Sequence, residues 1–230
     1  MTPELQTFPD AEALAAALAA EVAGLLRDAI AARGRATLAV PGGTTPGRFL
    51  TLLGQAVLDW EKVGVTLTDE RWVPLSSPRS NQRLLAETLF AGPAAAAEFA
   101  PLYGATPEPE MALGAIAASL TRIVLPLDVC VLGMGEDMHT ASLFPGALGL
   151  EAALAPGAPP VLAITAPGAG EPRITLTAPV LAGAGQVYLL IRGAAKRAAL
   201  ERALAAPSAL EAPVRAVLDG AARVSVYYAD

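Results

Sequence analysis

Short apolar runs alternate with helical stretches along almost the whole chain, and this pattern constrains the fold most. Residues 36–40, 63–68, 127–132, 161–165, 174–177, 187–191 and 224–228 each read as a strand. Helical stretches fall at 10–33, 81–90, 108–120, 196–204 and 214–218. Runs apolar on both faces suit a parallel sheet covered by helices. Their alternation predicts an α/β chain with a mainly parallel sheet flanked by helices. Asp10 is placed to cap the first helix and Gly34 to end it in a left-handed conformation. Thr45 is expected to cap a second helix, with Pro46 at its first position. The segments 69–80 and 93–105 read as a polar loop and a connector, and 146–160 shows little pattern.

Composition sets the outer limits. A chain of 230 residues, 53% hydrophobic, can bury a sizeable core, and residues 1–230 read as a single domain. The net charge of -6 and a pI near 4.9 argue against nucleic-acid binding, which needs a basic face. Glu21, Arg27, Asp28, Arg33 and Arg35 interrupt the longest alanine-rich stretch, so no membrane span is expected. The opening MTPELQTFPD lacks a basic segment followed by an apolar one, so a secretory signal is not expected either. The lone cysteine, Cys130, excludes an internal disulfide, fits a reducing compartment and reads as a buried core residue. A cytoplasmic protein is expected.

In an open α/β sheet, ligands bind beyond the carboxyl ends of strands. Three loops stand at such places. The run LPLDVCVL leads into Gly133-Met-Gly-Glu-Asp-Met-His-Thr-Ala-Ser-Leu-Phe-Pro-Gly146, which holds the chain's one histidine, His139. Imidazole, with an unperturbed pKa of about 6.5, suits proton transfer near neutral pH. Asp137, two residues before it, is placed to fix its tautomer and steady its charged form. A hydrogen-bonded structural histidine is the alternative. One histidine without a cysteine cluster makes a poor metal site. Ser142 follows closely, but no GxSxG elbow surrounds it.

The second loop is PGGTTPG, between a strand and a helix. Gly42, Gly43 and Thr44 offer close backbone approach and hydroxyl donors to an anion, although a plain turn reads equally well. It is neither a Walker A loop nor GxGxxG. The third is Asp69-Glu-Arg-Trp-Val-Pro74, either a solvated charge run or a ligand loop in which Arg71 forks onto a phosphate or carboxylate. Ser80 and Asn81 are placed to pin it or to contact a ligand. Arg173, in PRITLT, reads as a surface strand-end charge. Lys196, in GAAK, reads as an exposed first-turn lysine. A cation opposes the macrodipole there, which favours an anion nearby.

Taken in order, PGGTTP, TDERWVP with the following SN, GMGEDMHTASLFPG, PRITLT and GAAK resemble the 6-phosphogluconolactonase family. The matches span Pro41 to Lys196. The resemblance implies a modified Rossmann-like α/β fold with a small accessory lobe, like that of glucosamine-6-phosphate deaminases and ribose-5-phosphate isomerases. It implies hydrolysis of 6-phospho-glucono-1,5-lactone to 6-phosphogluconate in the oxidative pentose phosphate pathway. It implies no cofactor and no metal, with a small phosphorylated sugar lactone as the partner of a monomer or small homo-oligomer. His139 matches the family's general base and Asp137 the acid of its Asp-Gly-His motif. Arg71 and Lys196 match cations that hold the substrate phosphate. Gly42, Gly43, Thr44 and Asp69 match substrate-binding positions, and Arg173 a positive residue close to the site. Met138 stands where the family has glycine. A bulky residue is expected at φ < 0 there, its side chain turned away from the ligand and packed on apolar neighbours.

Two other functions compete. Sugar-phosphate deaminase-isomerases share the Asp-x-His position but continue with Asn-Glu-Pro, where this chain has Leu143, Phe144 and Pro145 and lacks the acid. A non-catalytic sugar-phosphate-binding module is the second.

Overall fold

The apolar runs form strands and the alanine-rich stretches form helices. A computed structural model describes residues 3–167 and 170–230. In chain order the elements are β1 (Glu4–Thr7), α1 (Ala11–Arg33), β2 (Ala36–Val40), α2 (Gly47–Gly54), β3 (Val63–Leu67), β4 (Asp69–Arg71), α3 (Asn81–Glu87), β5 (Glu98–Ala100) and α4 (Leu113–Ile123). There follow β6 (Val129–Leu132), α5 (Leu150–Leu154), β7 (Val161–Ile164), β8 (Arg173–Leu176), α6 (Ala178–Ala182), β9 (Gln186–Arg192), α7 (Ala194–Ala205), α8 (Val214–Gly220) and β10 (Val224–Ala229). Seven strands make one sheet in the order β1-β10-β9-β6-β2-β3-β5. Every neighbouring pair in it is parallel. A second, antiparallel sheet holds β4, β8 and β7, with β8 in the middle.

β2, β3 and β6 are buried along their whole length, which explains why their sequences are almost wholly apolar, with Thr37 and Thr66 as buried exceptions. Leu14, Leu18, Val22 and Leu26 recur every four residues and form the buried stripe of α1. Fully burying each such side chain contributes about 1.5–3 kcal/mol. Asp10 accepts from the Ala13 N–H at 2.8 Å, and Gly34 closes the helix at φ 79°. Cys130 lies fully buried in β6, and burial pushes its thiol well above its ordinary range. Among the described residues no helix is long and apolar enough to cross a membrane.

Several sequence expectations need correction. Asp69–Arg71 is a strand, not the start of a loop. Thr68 bridges the two sheets: its N–H donates to Val40 O and its carbonyl accepts from Leu176 N–H, both at 2.9 Å. The charged run after it therefore continues straight into the small sheet. Thr45 does not cap α2; Pro46 occupies the cap position and no side chain bonds to the helix end. The helix at 108–120 begins as a 3-10 turn, becomes α-helical at Leu113 and runs on to Ile123. The helix at 81–90 stops at Glu87, with a 3-10 turn at Leu89–Ala91. β1, β5, α5 and α6 carried no clear sequence signal, being three to five residues long.

Candidate active site

β2, β6 and β9 are neighbours, and the loops after them meet at one edge of the large sheet. There a cleft of about 310 Å³ is lined by Gly42, Gly43, Thr44, Asp69, Arg71, His139, Arg173 and Lys196. Of the residues to which the resemblance gives catalytic or substrate-binding roles, Asp137 alone is not on the wall. It stands beside His139.

The loop after β6 makes a tight turn. Gly135 N–H donates to His139 O at 2.8 Å and Met138 N–H donates to Gly135 O at 3.0 Å. This three-residue connection needs its last residue in the left-handed region. Met138 is that residue, at φ 67°. The expectation of φ < 0 is therefore wrong: turn geometry overrides side-chain preference, at roughly 1–2 kcal/mol. Neighbours hold the conformation. Val214 N–H donates to Met138 O at 3.1 Å, and the Arg202 guanidinium donates to Glu136 O at 2.7 Å. The Met138 side chain is half-buried against the core and is not part of the cleft wall, as expected.

The turn folds Asp137 back onto His139, with Nδ1 and Oδ1 2.5 Å apart. That bond chiefly holds the Asp137 carboxyl below its usual range, against a smaller upward push from burial. With Asp137 as acceptor, Nδ1 carries the proton and Nε2 is left as the basic atom. The pair lies directly over Gly135, where an added Cβ would fall 2.1 Å from Nδ1 and 2.2 Å from Asp137 Oδ1. The imidazole packs against Phe144, ring centroids 4.4 Å apart.

The cations come mainly from the small sheet. Arg71 and Arg173 are directly opposite partners across β4 and β8. Like charges so placed destabilise a sheet. Burial, and then the neighbouring Arg71, pull the Arg173 pKa down. Glu171 lies 3.6 Å from Arg173, whose guanidinium also stands 5.9 Å from the Phe144 ring centre. Arg71 donates through Nη1 to Arg79 O at 2.6 Å, while its buried Nε has no hydrogen-bond partner. Lys196 sits in the first turn of α7 after Gly193, which has φ 83°. Among the described residues neither Arg71 nor Lys196 joins an ion pair. Converging cations, glycine-loop N–H groups and a helix start make a site for an anion.

Buried acids hold this wall in place. Glu70 is fully buried, which raises its pKa. Its carboxyl accepts from the N–H groups of Asn81 and Gln82 at 2.7 Å and of Arg71 at 2.8 Å, thereby capping α3. Asp69 accepts from buried Ser142 Oγ at 2.6 Å, so Ser142 is a hydrogen-bond partner rather than a nucleophile. Asn81 Nδ2 donates to Asp69 O at 2.9 Å and crosses Gly42, where a Cβ would fall 1.9 Å from the Asn81 amide oxygen. Gly135, Glu70, Ser142 and Phe144 thus shape the site without having been assigned to it from the sequence. The only available signal was that they lie inside the motifs. Among the described residues no three His, Cys, Asp or Glu side chains gather as a metal site.

A family model for glucosamine-6-phosphate isomerases and 6-phosphogluconolactonases matches residues 9–226. The 6-phosphogluconolactonase of Rhizobium meliloti (strain 1021) is 47% identical over the full length of both chains. That of Pseudomonas aeruginosa is 44% identical, covering 93% of this chain and 90% of its own. The crystal structure of a 6-phosphogluconolactonase from Shewanella baltica OS155 superposes with a TM-score of 0.96 at 36% identity, covering 99% of this chain and 98% of that one. The chain belongs to the glucosamine-6-phosphate isomerase/6-phosphogluconolactonase family.

Proposed function

We propose, from membership of this family and from the cleft itself, that the chain hydrolyses 6-phospho-D-glucono-1,5-lactone to 6-phospho-D-gluconate in the oxidative pentose phosphate pathway, with His139 as general base. The observation that carries the roles is the 2.5 Å contact between Asp137 and His139 in a cleft walled by Arg71, Arg173 and Lys196. A δ-lactone is an activated ester, so its opening needs a placed water, a base and a partner for the developing oxyanion. His139 Nε2 takes a proton from water as the oxygen adds to the lactone carbonyl. Asp137 steadies the imidazolium. Arg173, Arg71 or the N–H groups of Gly42 and Gly43 face the oxyanion. Collapse breaks the ring C–O bond, the imidazolium returns its proton to the leaving alkoxide, and the new carboxylic acid ionises. Arg71 and Lys196 hold the phosphate and so orient the remote carbonyl. The protein is acidic overall, so these cations attract the substrate only at short range.

On this reading the groups needed are the chain's own and water, with no cofactor. Residues 1–230 act as one α/β domain, a cytoplasmic monomer or small homo-oligomer. The test is proton release from freshly made phospholactone, corrected for spontaneous opening. Turnover abolished by His139→Asn supports the reading; wild-type protein no faster than buffer refutes it.

A further inference from the structure

The small sheet ends on an unfavourable rung. Arg71 closes β4 and Arg173 opens β8, so the two arginines face each other where the ladder stops. One more bond follows, from Trp72 N–H to Pro172 O at 2.8 Å. Like charges at the end of so short a ladder favour fraying. Just beyond it, Arg79 reaches across to Glu171, 92 residues away in sequence. Its Nε lies 3.0 and 3.1 Å from the two carboxylate oxygens and Nη2 lies 2.9 Å from one of them. The Glu171 side chain is only 17% exposed, and the forked geometry sets this pair apart from single-point surface pairs, which contribute little. Burial pushes the Glu171 pKa up, but the Arg79 bond leads the contacts that together outweigh it and hold the carboxyl below its usual range. The Arg79 carbonyl also accepts from Arg71 Nη1 at 2.6 Å, and Glu171 lies 3.6 Å from Arg173. Arg79 thus reaches both cleft arginines, Arg71 directly and Arg173 through Glu171.

Resting on the lactonase reading for what the arginines hold, we propose that Arg79 and Glu171 are positioning residues: their ion pair braces the open end of the small sheet and keeps Arg71 and Arg173 in place on the cleft wall. Neither Arg79 nor Glu171 lines the cleft, so both act through the arginines. On that reading Arg71 holds the substrate phosphate, and the brace therefore acts on KM. A second role for Glu171 would have the opposite sign. A carboxylate that merely competed with the ligand for Arg173 would weaken anion binding, and its removal would lower KM. Removal of a brace loosens the wall and raises KM.

The test measures KM and kcat for the phospholactone, with amide exchange at Trp72, in wild type, Glu171→Gln, Glu171→Asp, Arg79→Ala and the double variant Arg79→Ala/Glu171→Gln. Glu171→Gln should raise KM by about threefold to tenfold and leave kcat within about twofold, as expected for a forked but partly exposed pair acting on ground-state binding. An unchanged or lowered KM overturns the proposal, as does a loss of kcat at unchanged KM, the mark of a merely structural role. Glu171→Asp keeps the charge but shortens the reach by one methylene; it should shift KM the same way and gives the readout should Glu171→Gln fail to fold. Arg79→Ala should raise KM too, and the double variant should lie within about twofold of Glu171→Gln, because both changes remove one shared contact. Charge effects alone would cancel in the double variant, and a return to the wild-type KM overturns the brace. Trp72 N–H should exchange about tenfold faster in every variant while the β6 amides keep their wild-type rates, since only the end of the small sheet is loosened. Unchanged exchange at Trp72 overturns the proposal. That measurement needs no turnover, so it stands apart from wild-type hydrolysis of the phospholactone, which tests the lactonase reading.

Discussion

Gly135→Ala should separate catalysis from folding. An added Cβ would fall 2.1 Å from His139 Nδ1, 2.4 Å from Cε1 and 2.2 Å from Asp137 Oδ1. Real contacts of this kind need about 3.4 Å or more, so ring and carboxylate must retreat by roughly 1 Å or more. Both belong to movable side chains, one 30% and the other 53% exposed, so the fold can accommodate the change. Gly135 is not among the residues at positive φ, and alanine there adds no backbone strain. Stability should change by less than about 1 kcal/mol, since alanine also restrains the unfolded chain. Catalysis should suffer far more: a displacement of about 1 Å can cost roughly a hundredfold. The assay is proton release from phospholactone, with the melting curve recorded on the same sample. Because the chain has one histidine, its imidazole N–H resonance needs no assignment. The Asp137-bonded signal should appear in wild type and vanish in the variant. A variant that keeps kcat within about threefold refutes the placement of this dyad in the chemistry.

His139→Asn should lower kcat by roughly two to four orders of magnitude, the range for a lost general base, since no second histidine can substitute; a loss below about threefold would rule that role out. Lys196→Ala should mainly raise KM for the phospholactone, because phosphate contacts exist in the ground state as well as the transition state. Unchanged KM with reduced kcat would contradict that division. At Met138 the order of stabilities is diagnostic. Met138→Ala should cost about 1–2 kcal/mol through lost packing of a half-buried side chain, and Met138→Gly should recover about 1 kcal/mol relative to alanine, because only glycine takes φ 67° without strain. Urea titration finding glycine less stable than alanine would show that residue 138 is not held there.

The regular part of the fold was legible because its causes are local. Asp10 and Gly34 bound α1 through cap chemistry that depends on a few residues. The runs behind β2, β3, β6 and β9 read as strands because burial on both faces leaves them mostly apolar. β4 resembles a loop in the sequence for the opposite reason. Its three residues are all charged, and what makes them a strand is remote: β8 supplies the partner backbone and the α3 N-terminus neutralises Glu70. Met138 shows the same limit. Side-chain bulk argued for φ < 0, while the conformation was set by a turn closed between Gly135 and His139 and held by Val214, 76 residues after Met138. The identities of the cleft residues were accessible through motif order; their supports, Glu70, Ser142 and Gly135, act through contacts that spacing does not reveal.

The site exists only where the two sheets interlock. His139 comes from the parallel sheet, on the loop after β6, while Arg71 and Arg173 come from the antiparallel one. The parallel sheet brings Lys196 to His139 through α7, which follows β9, and the antiparallel sheet adds both arginines. Thr68 continues one into the other, and Ser142, three residues after His139, bonds both Asp69 on β4 and Thr175 on β8. Opposing arginines weaken this junction by an amount of the order of 0.2–1 kcal/mol for such a cross-strand pair. Asp69 and Glu171 offset only part of that charge. The unfavourable pair makes sense if the remaining positive potential is meant for an anionic ligand. On the proposed reading, the fold accepts a small local instability so that the cations stand ready in the cleft that holds His139, rather than being gathered only when substrate arrives.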